Sequence, residues 1–261
     1  MFFRHIYTAI RQYHYWILVS LLNIVSRYRQ SFLGPLWISA SIGIFIFTLG
    51  ELYGRIWNLP SSDFVPYLAV GYILWHFMSG AISLGVTMFT SNKYYILQSK
   101  MALPAYSMKL IFEVFIIFLH NLVILVIVFA WYDIFPGIAG IFQFLIGVAI
   151  ISVNMVWVMV LLGILGAAYR DVVELVSVFL RIGFLATPVI WKVGNEGRAA
   201  ALGNYLLFNP FYHFFEITRN PLLGMPIHAI NWYFVIGITI AGYMITWLIY
   251  DTTYKRIATW I

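Results

Sequence analysis

The chain has 261 residues, of which 63% are hydrophobic and 9% charged, with a net charge of +6 and no cysteine. A soluble domain carries about a quarter charged residues, so a separate water-soluble domain is excluded, and disulfide and thiolate chemistry with it. In so apolar a chain the positive balance reads as cytoplasmic loop charge beside anionic lipid, not as a nucleic-acid footprint.

Residues 1–34 form an amphipathic lead-in. Ile6, Ile10, Tyr13 and Ile17 recur at helical spacing, while Arg4, Thr8 and Arg11 take another face. The apolar run Trp16 to Val25 is too short to span a bilayer, so this segment is expected to lie in the interface plane. Its arginines flank the apolar part on both sides and no small-residue cleavage site follows, which argues against a cleavable signal peptide. Gly34-Pro35 then breaks the chain.

Six apolar stretches follow, and a run of about 20 apolar residues suffices to cross a bilayer as a helix. They are expected over Leu36–Tyr53, Phe64–Phe89, Leu110–Trp131, Ile138–Gly166, Val172–Trp191 and Ile230–Tyr250, with a tail at 251–261. The fold class is therefore an all-α membrane protein, a single domain over 1–261. Ten of the fifteen Lys and Arg residues fall on the side of the N-terminus and four, Arg55, Lys192, Arg198 and Arg219, in the loops of the other, with Arg181 inside the fifth stretch. The positive-inside rule then places both termini in the cytoplasm.

Two connections exceed simple turns. Thr90 to Met108, with Lys93, Tyr94, Tyr95, Lys100 and Pro104, can hold a short helix outside the membrane. Lys192 to His228 holds two apolar pieces, Arg198 to Phe208 and Phe211 to Asn220, hinged at Asn209-Pro210. Asn before Pro is a good helix start, with Asn as cap and Pro in the first turn. The expectation is a re-entrant external hairpin, the alternative a loop on the outer surface.

Enzyme chemistry finds no support. His76 and His120 stand alone in different spans without metal-ligand spacing, and the chain has no phosphate-cradling glycine motif. The costly residues are Glu174 and Arg181, seven apart on one helix face and so about 10 Å apart along the axis. They either line a polar conduit or, for Glu174, reach the interface and, for Arg181, bond a neighbouring helix. Glu113 follows Lys109 by four, an interfacial pair. His120 and Asn121 read as interhelical glue. Tyr72, Trp75, His76 and Ser79 share one stripe of the second span, where rings with polar tips suit sugar faces or simple packing. Tyr243, Trp247 and Tyr250 read as an interfacial belt. Gly50 and Gly54 permit close helix contact.

Ser26-Arg27-Tyr28-Arg29-Gln30-Ser31-Phe32-Leu33-Gly34-Pro35-Leu36-Trp37 resembles the R-Y-R-x-S-x-L-G-P-L-W signature of type-2 ABC exporter permeases for polysaccharides. Tyr169-Arg170-Asp171-Val172, Ala186-Thr187-Pro188-Val189-Ile190-Trp191, and the pairs Asn209-Pro210 and Asn220-Pro221 are similar to later segments of that family, in order. The chain looks most like the membrane subunit of O-antigen exporters of Gram-negative bacteria, with capsule and teichoic-acid permeases as close relatives.

The resemblance implies an inner-membrane homodimer bound to two copies of a separate ATPase subunit, which would hold ATP and magnesium, this chain holding no cofactor or metal. It implies ATPase coupling through Lys93, Tyr94, Tyr95, Arg27 and Arg29, and an external gate with Asn209, Pro210, Phe211 and Phe215. The undecaprenyl-linked glycan would pass a conduit formed by the first, second and fifth spans, touching Tyr72, Trp75, His76 and Arg181. Other readings are a small-molecule exporter, or a membrane enzyme acting on lipid-linked sugars, which would need paired carboxylates.

Overall fold

The computed structural model describes residues 1–29, 34, 36–98, 101–192 and 205–261. Every regular element among them is helical. Arg198 with most of the first arm of the expected external hairpin, Lys100, and residues 30–33 and 35 of the first signature lie outside the described residues.

The lead-in is two helices, α1 (Phe2–Arg11) and α2 (Tyr13–Tyr28), parted at Gln12 with φ −84° and ψ 20°. Neither floats on the rest. Phe2 is fully buried against Tyr250, ring centroids 5.2 Å apart, and its N–H donates to Asp251 Oδ1 at 2.8 Å. His5 Nδ1 and the Tyr250 hydroxyl share a hydrogen bond of 2.7 Å. Tyr250 is thus buried under α1 and is not part of an interfacial belt. Hydropathy marks a ring at a helix end and says nothing of what covers it. Gln12 accepts from the Ala102 N–H at 3.4 Å, and Ser20 donates to the Lys109 carbonyl at 3.1 Å, so α1 and α2 grip the chain where the third expected span begins.

Next come α3 (Leu36–Ile56), α4 (Ser61–Val86), the short α5 (Met88–Ser91) and α6 (Lys93–Gln98), then α7 (Leu103–Trp131) and α8 (Ile138–Ala168). After α9 (Asp171–Ala186) and α10 (Pro210–Leu222), α11 (Ala229–Thr253) and α12 (Ile257–Trp260) close the chain. Five helices among the described residues are long and apolar enough to cross a membrane: α3, α4, α7, α8 and α11. The expected fifth span falls short. α9 has 16 residues, about 24 Å of helix at roughly 1.5 Å per residue. It stops where Thr187 turns extended, at φ −93° and ψ 140°, ahead of Pro188. A proline disfavours helical backbone in the residue before it, so the helix ends short of the expected Trp191 although the apolar run continues.

Turns match their residues. Asn58 between α3 and α4, and Asp133 between α7 and α8, both adopt φ 52°, the left-handed region that short polar side chains tolerate best. α8 is the spine of the bundle. At its first half Gly140 and Gly147 admit the backbone of α10, since a Cβ at Gly147 would stand 3.1 Å from the Thr218 Cα and one at Gly140 would strike the Pro221 carbonyl. At its second half Gly166 lies against the Val86 carbonyl at the end of α4. Gly50 brings α3 equally close to α4, where a Cβ would meet Val65 Cγ2 at 2.6 Å, as the G-x-x-x-G spacing anticipates. Asn121 is buried and accepts from Ser39 Oγ at 2.9 Å, joining α7 to α3. His120 is satisfied within its own helix by the Ile116 carbonyl at 2.7 Å and makes no hydrogen bond to another helix among the described residues.

Candidate functional site

A cleft of about 620 Å³ opens between α3, α4 and α9. These are the first, second and fifth stretches of the sequence. Tyr72, Trp75, His76 and Ser79 line it from α4, Phe45 from α3, and Ser177, Arg181 and Phe184 from α9. All four residues expected to form a conduit therefore meet in one cavity. Tyr72 stacks on Phe45 with centroids 4.2 Å apart, which offers a paired aromatic face toward the opening. Trp75 differs from the other three. It is 7% exposed and wedged against Phe184, Phe211 and Phe215, at 5.5, 5.0 and 6.5 Å. It forms the wall between the cleft and α10. Gly183 makes room for it, with a Cβ there 3.2 Å from the Trp75 ring.

Behind that wall lies a clamp that sequence reasoning missed. Asn209 caps α10 as expected, its side chain accepting from the Phe211 N–H at 3.0 Å. The same side chain donates to Thr187 Oγ1 at 2.9 Å and to the Ala186 carbonyl at 3.3 Å. At the other end of α10, Arg219 is 1% exposed. It donates Nη1 to the Pro188 carbonyl at 2.7 Å and Nη2 to Glu216 Oε1 at 3.3 Å, and its guanidinium lies 3.8 Å over the Tyr67 ring. Tyr67 donates to the same carbonyl at 3.1 Å. A helix C-terminus leaves its last carbonyls without partners and carries partial negative charge. Here Asn209 serves the Ala186 carbonyl and Trp191 Nε1 the Leu185 carbonyl at 3.0 Å, both in the last turn of α9, while Tyr67 and the cation Arg219 hold the Pro188 carbonyl just beyond it. The motif segments Ala186–Trp191 and Asn209–Pro210 are thus physical partners of each other. Asn220 completes the set by donating to Glu216 Oε2 at 2.8 Å. Beside it, Lys192 donates to the Asp63 carbonyl at 2.9 Å. Burial holds the Lys192 ammonium below the ordinary lysine range, with the Asp63 charge opposing.

Of the expected gate residues, Phe211 and Phe215 are buried inward on Trp75. The gate and conduit groups touch through that one ring. Glu216 and Arg219 had a legible signal, an acid and a base three apart in an aromatic helix, but Arg219 was counted as loop charge.

A second cluster sits at the opposite end. Glu113 is 2% exposed and Lys109 6%, and Lys109 Nζ approaches Glu113 Oε1 at 3.7 Å, the expected i,i+4 pair but buried and not interfacial. Arg27 of α2 reaches Glu113 Oε2 at 3.6 Å, and Asn23 donates to Oε1 at 3.0 Å. Lys109 also donates to Asn92 Oδ1 at 3.2 Å. Asn92 is the joint between α5 and α6. One carboxylate thus ties α2 to α7 and, through Lys109, to the base of α6. Beyond that joint Tyr94 and Tyr95 stand 77% and 63% exposed, with Lys93 also exposed. Arg27 and Arg29 are both exposed, Arg27 while reaching Glu113 of α7. No group of three metal-ligating side chains occurs among the described residues.

Five helices long and apolar enough to cross a membrane mark a multi-pass membrane protein. The family model described as ABC-2 type transporter matches residues 14–223. The chain belongs to that family and is a membrane permease subunit of an ABC transporter, which implies a partner ATPase subunit. Among curated proteins none matches the chain.

Proposed function

We propose that two copies of this chain form the membrane part of an exporter of lipid-linked polysaccharide, of O-antigen type, in the inner membrane. Two ATPase subunits bind and hydrolyse ATP with magnesium. Exposed Lys93, Tyr94 and Tyr95 on α6 dock on the ATPase, since exposed aromatic anchors carry disproportionate interface energy. ATP binding shifts the two copies between closed and open arrangements by rigid-body motion. The carrying observation is the 620 Å³ cleft, where stacked rings lie beside hydroxyls and one cation. Sugar rings present C–H faces and hydroxyl rims, and that lining offers both complements.

Parity supports six crossings with both termini cytoplasmic. α1 packs at the end of α11, and α2 at the start of α7. Four long helices, α3, α4, α7 and α8, return the chain to the side from which it set out, and α11 ends on that side. On this reading a further crossing precedes α11, and α9 with the turn residues after it supplies it. α10 then serves as the outer gate beside the far end of α9.

Deleting the gene is expected to remove the surface glycan and trap undecaprenyl-linked glycan inside the cell, read by extraction of lipid-linked sugars. Unchanged surface glycan with no trapped intermediate would contradict the assignment.

A further inference from the structure

Of the basic side chains in the described helices, four are paired with a carboxylate. Arg219 has Glu216, Lys109 and Arg27 share Glu113, and Arg55 has Glu51. Arg181 has none within 4.0 Å among the described residues. Its one hydrogen bond is from Nη2 to Ser177 Oγ at 3.1 Å. A guanidinium carries five N–H donors in a planar fork that matches a carboxylate or phosphate in two-point contact. Most of that fork is uncommitted and opens into the cleft. The lining adds the hydroxyls of Ser79, Ser83 and Ser177, and contains no Asp or Glu. The acid of its own helix, Glu174, lies two turns away, about 10 Å along the axis.

An isolated cation at membrane depth is costly, and such residues are retained with a partner. A neutral glycan needs hydroxyls and rings but no fixed positive charge. We propose that Arg181, with Ser79, Ser83 and Ser177, is an oxyanion subsite that takes a phosphate or carboxylate carried by the cargo. This rests on the cleft being the cargo path. The oxyanion has two chemical sources, acidic groups along the glycan or the pyrophosphate that joins glycan to lipid. Tyr72 and Phe45 beside it would then hold the adjoining sugar by its apolar face.

The test uses the full permease with its ATPase subunits in nanodiscs, with binding followed by saturation-transfer NMR. The probes are oligogalacturonate, a neutral dextran oligosaccharide of equal length, geranylgeranyl pyrophosphate and geranylgeraniol. At least one acidic probe is expected to bind about tenfold tighter than its neutral counterpart, because charge-assisted hydrogen bonds are roughly twice as strong as neutral ones. Arg181→Gln should abolish that preference and leave the neutral probes unchanged, and Arg181→Lys should retain part of it. Preference for oligogalacturonate assigns the anion to the glycan, and preference for the pyrophosphate assigns it to the linker. Equal binding of acidic and neutral probes overturns the subsite while leaving the conduit intact. So does equal loss of all probes in Arg181→Gln. Acidic preference that appears only in Glu174→Gln overturns it too, since Arg181 would then be paired in the natural protein with a carboxylate of the second copy. Failure of every probe to bind overturns both the subsite and the conduit.

Discussion

Arg219→Ala is expected to destabilise the protein by about 3–5 kcal/mol, the cost of leaving one partner of a buried ion pair alone. Glu216 would remain buried without its cation, and the Pro188 carbonyl would keep only the Tyr67 hydroxyl. The loss should show as a lower melting temperature of the purified complex and reduced membrane abundance. The double change Arg219→Met with Glu216→Gln separates charge from shape. Well-packed neutral groups of similar volume can replace a buried pair at little cost, so the double variant should recover stability. Export should stay impaired, because the segment that follows α9 has lost the cation that ties its Pro188 carbonyl to α10. Full stability in Arg219→Ala would remove the clamp from the account. Full export in the double variant would make the clamp a packing element alone.

The second large effect is expected at Glu113. Glu113→Ala leaves Lys109 buried without a counter-charge and should cost about 3 kcal/mol or more. Glu113→Gln keeps the shape and an acceptor for Asn23 but removes the attraction to Lys109 and Arg27. In that variant the ATPase subunit should still co-purify, because Tyr94 and Tyr95 are untouched, while ATP hydrolysis no longer drives export. The reason is mechanical: Lys109 reaches Asn92 at the base of α6, so on the docking proposed at α6 force from the partner would enter α7 through this joint. Normal export per unit of ATP hydrolysed in Glu113→Gln would show that the force takes another route.

Much of this architecture was legible in the chain. The ends of α3, α8 and α11 fall within about four residues of where hydropathy put them, because lipid contact imposes a composition that any window detects. The stripe of Tyr72, Trp75, His76 and Ser79 was readable because helical spacing alone puts those residues on one face. That Arg181 would meet them was expected from the family likeness, and it follows in the structure from α9 packing on α4 through Gly183 and Trp75. Hydropathy failed where a residue's surroundings depend on distant chain. Tyr250 looks like a belt residue until Phe2 covers it, nearly the whole chain away. Arg219 looks like loop charge until α10 seats in the glycine groove of α8 and presents it to Pro188. The length of α9 was overread because its apolar run continues past Thr187, while the backbone before a proline does not.

The central claim is that the cleft between α3, α4 and α9 is the path of the cargo. Because the natural chain has no cysteine, single cysteines can be placed there and modified alone. Ser79→Cys and Ser177→Cys lie in the cleft, and Phe135→Cys, in the turn between α7 and α8 where the side chain is 84% exposed, serves as the control. Export of newly made glycan is measured before and after treatment with a bulky maleimide, with labelling confirmed on the purified protein. The account expects labelled Ser79→Cys and Ser177→Cys to lose export and labelled Phe135→Cys to keep it. Full export with both cleft cysteines labelled would place the path elsewhere.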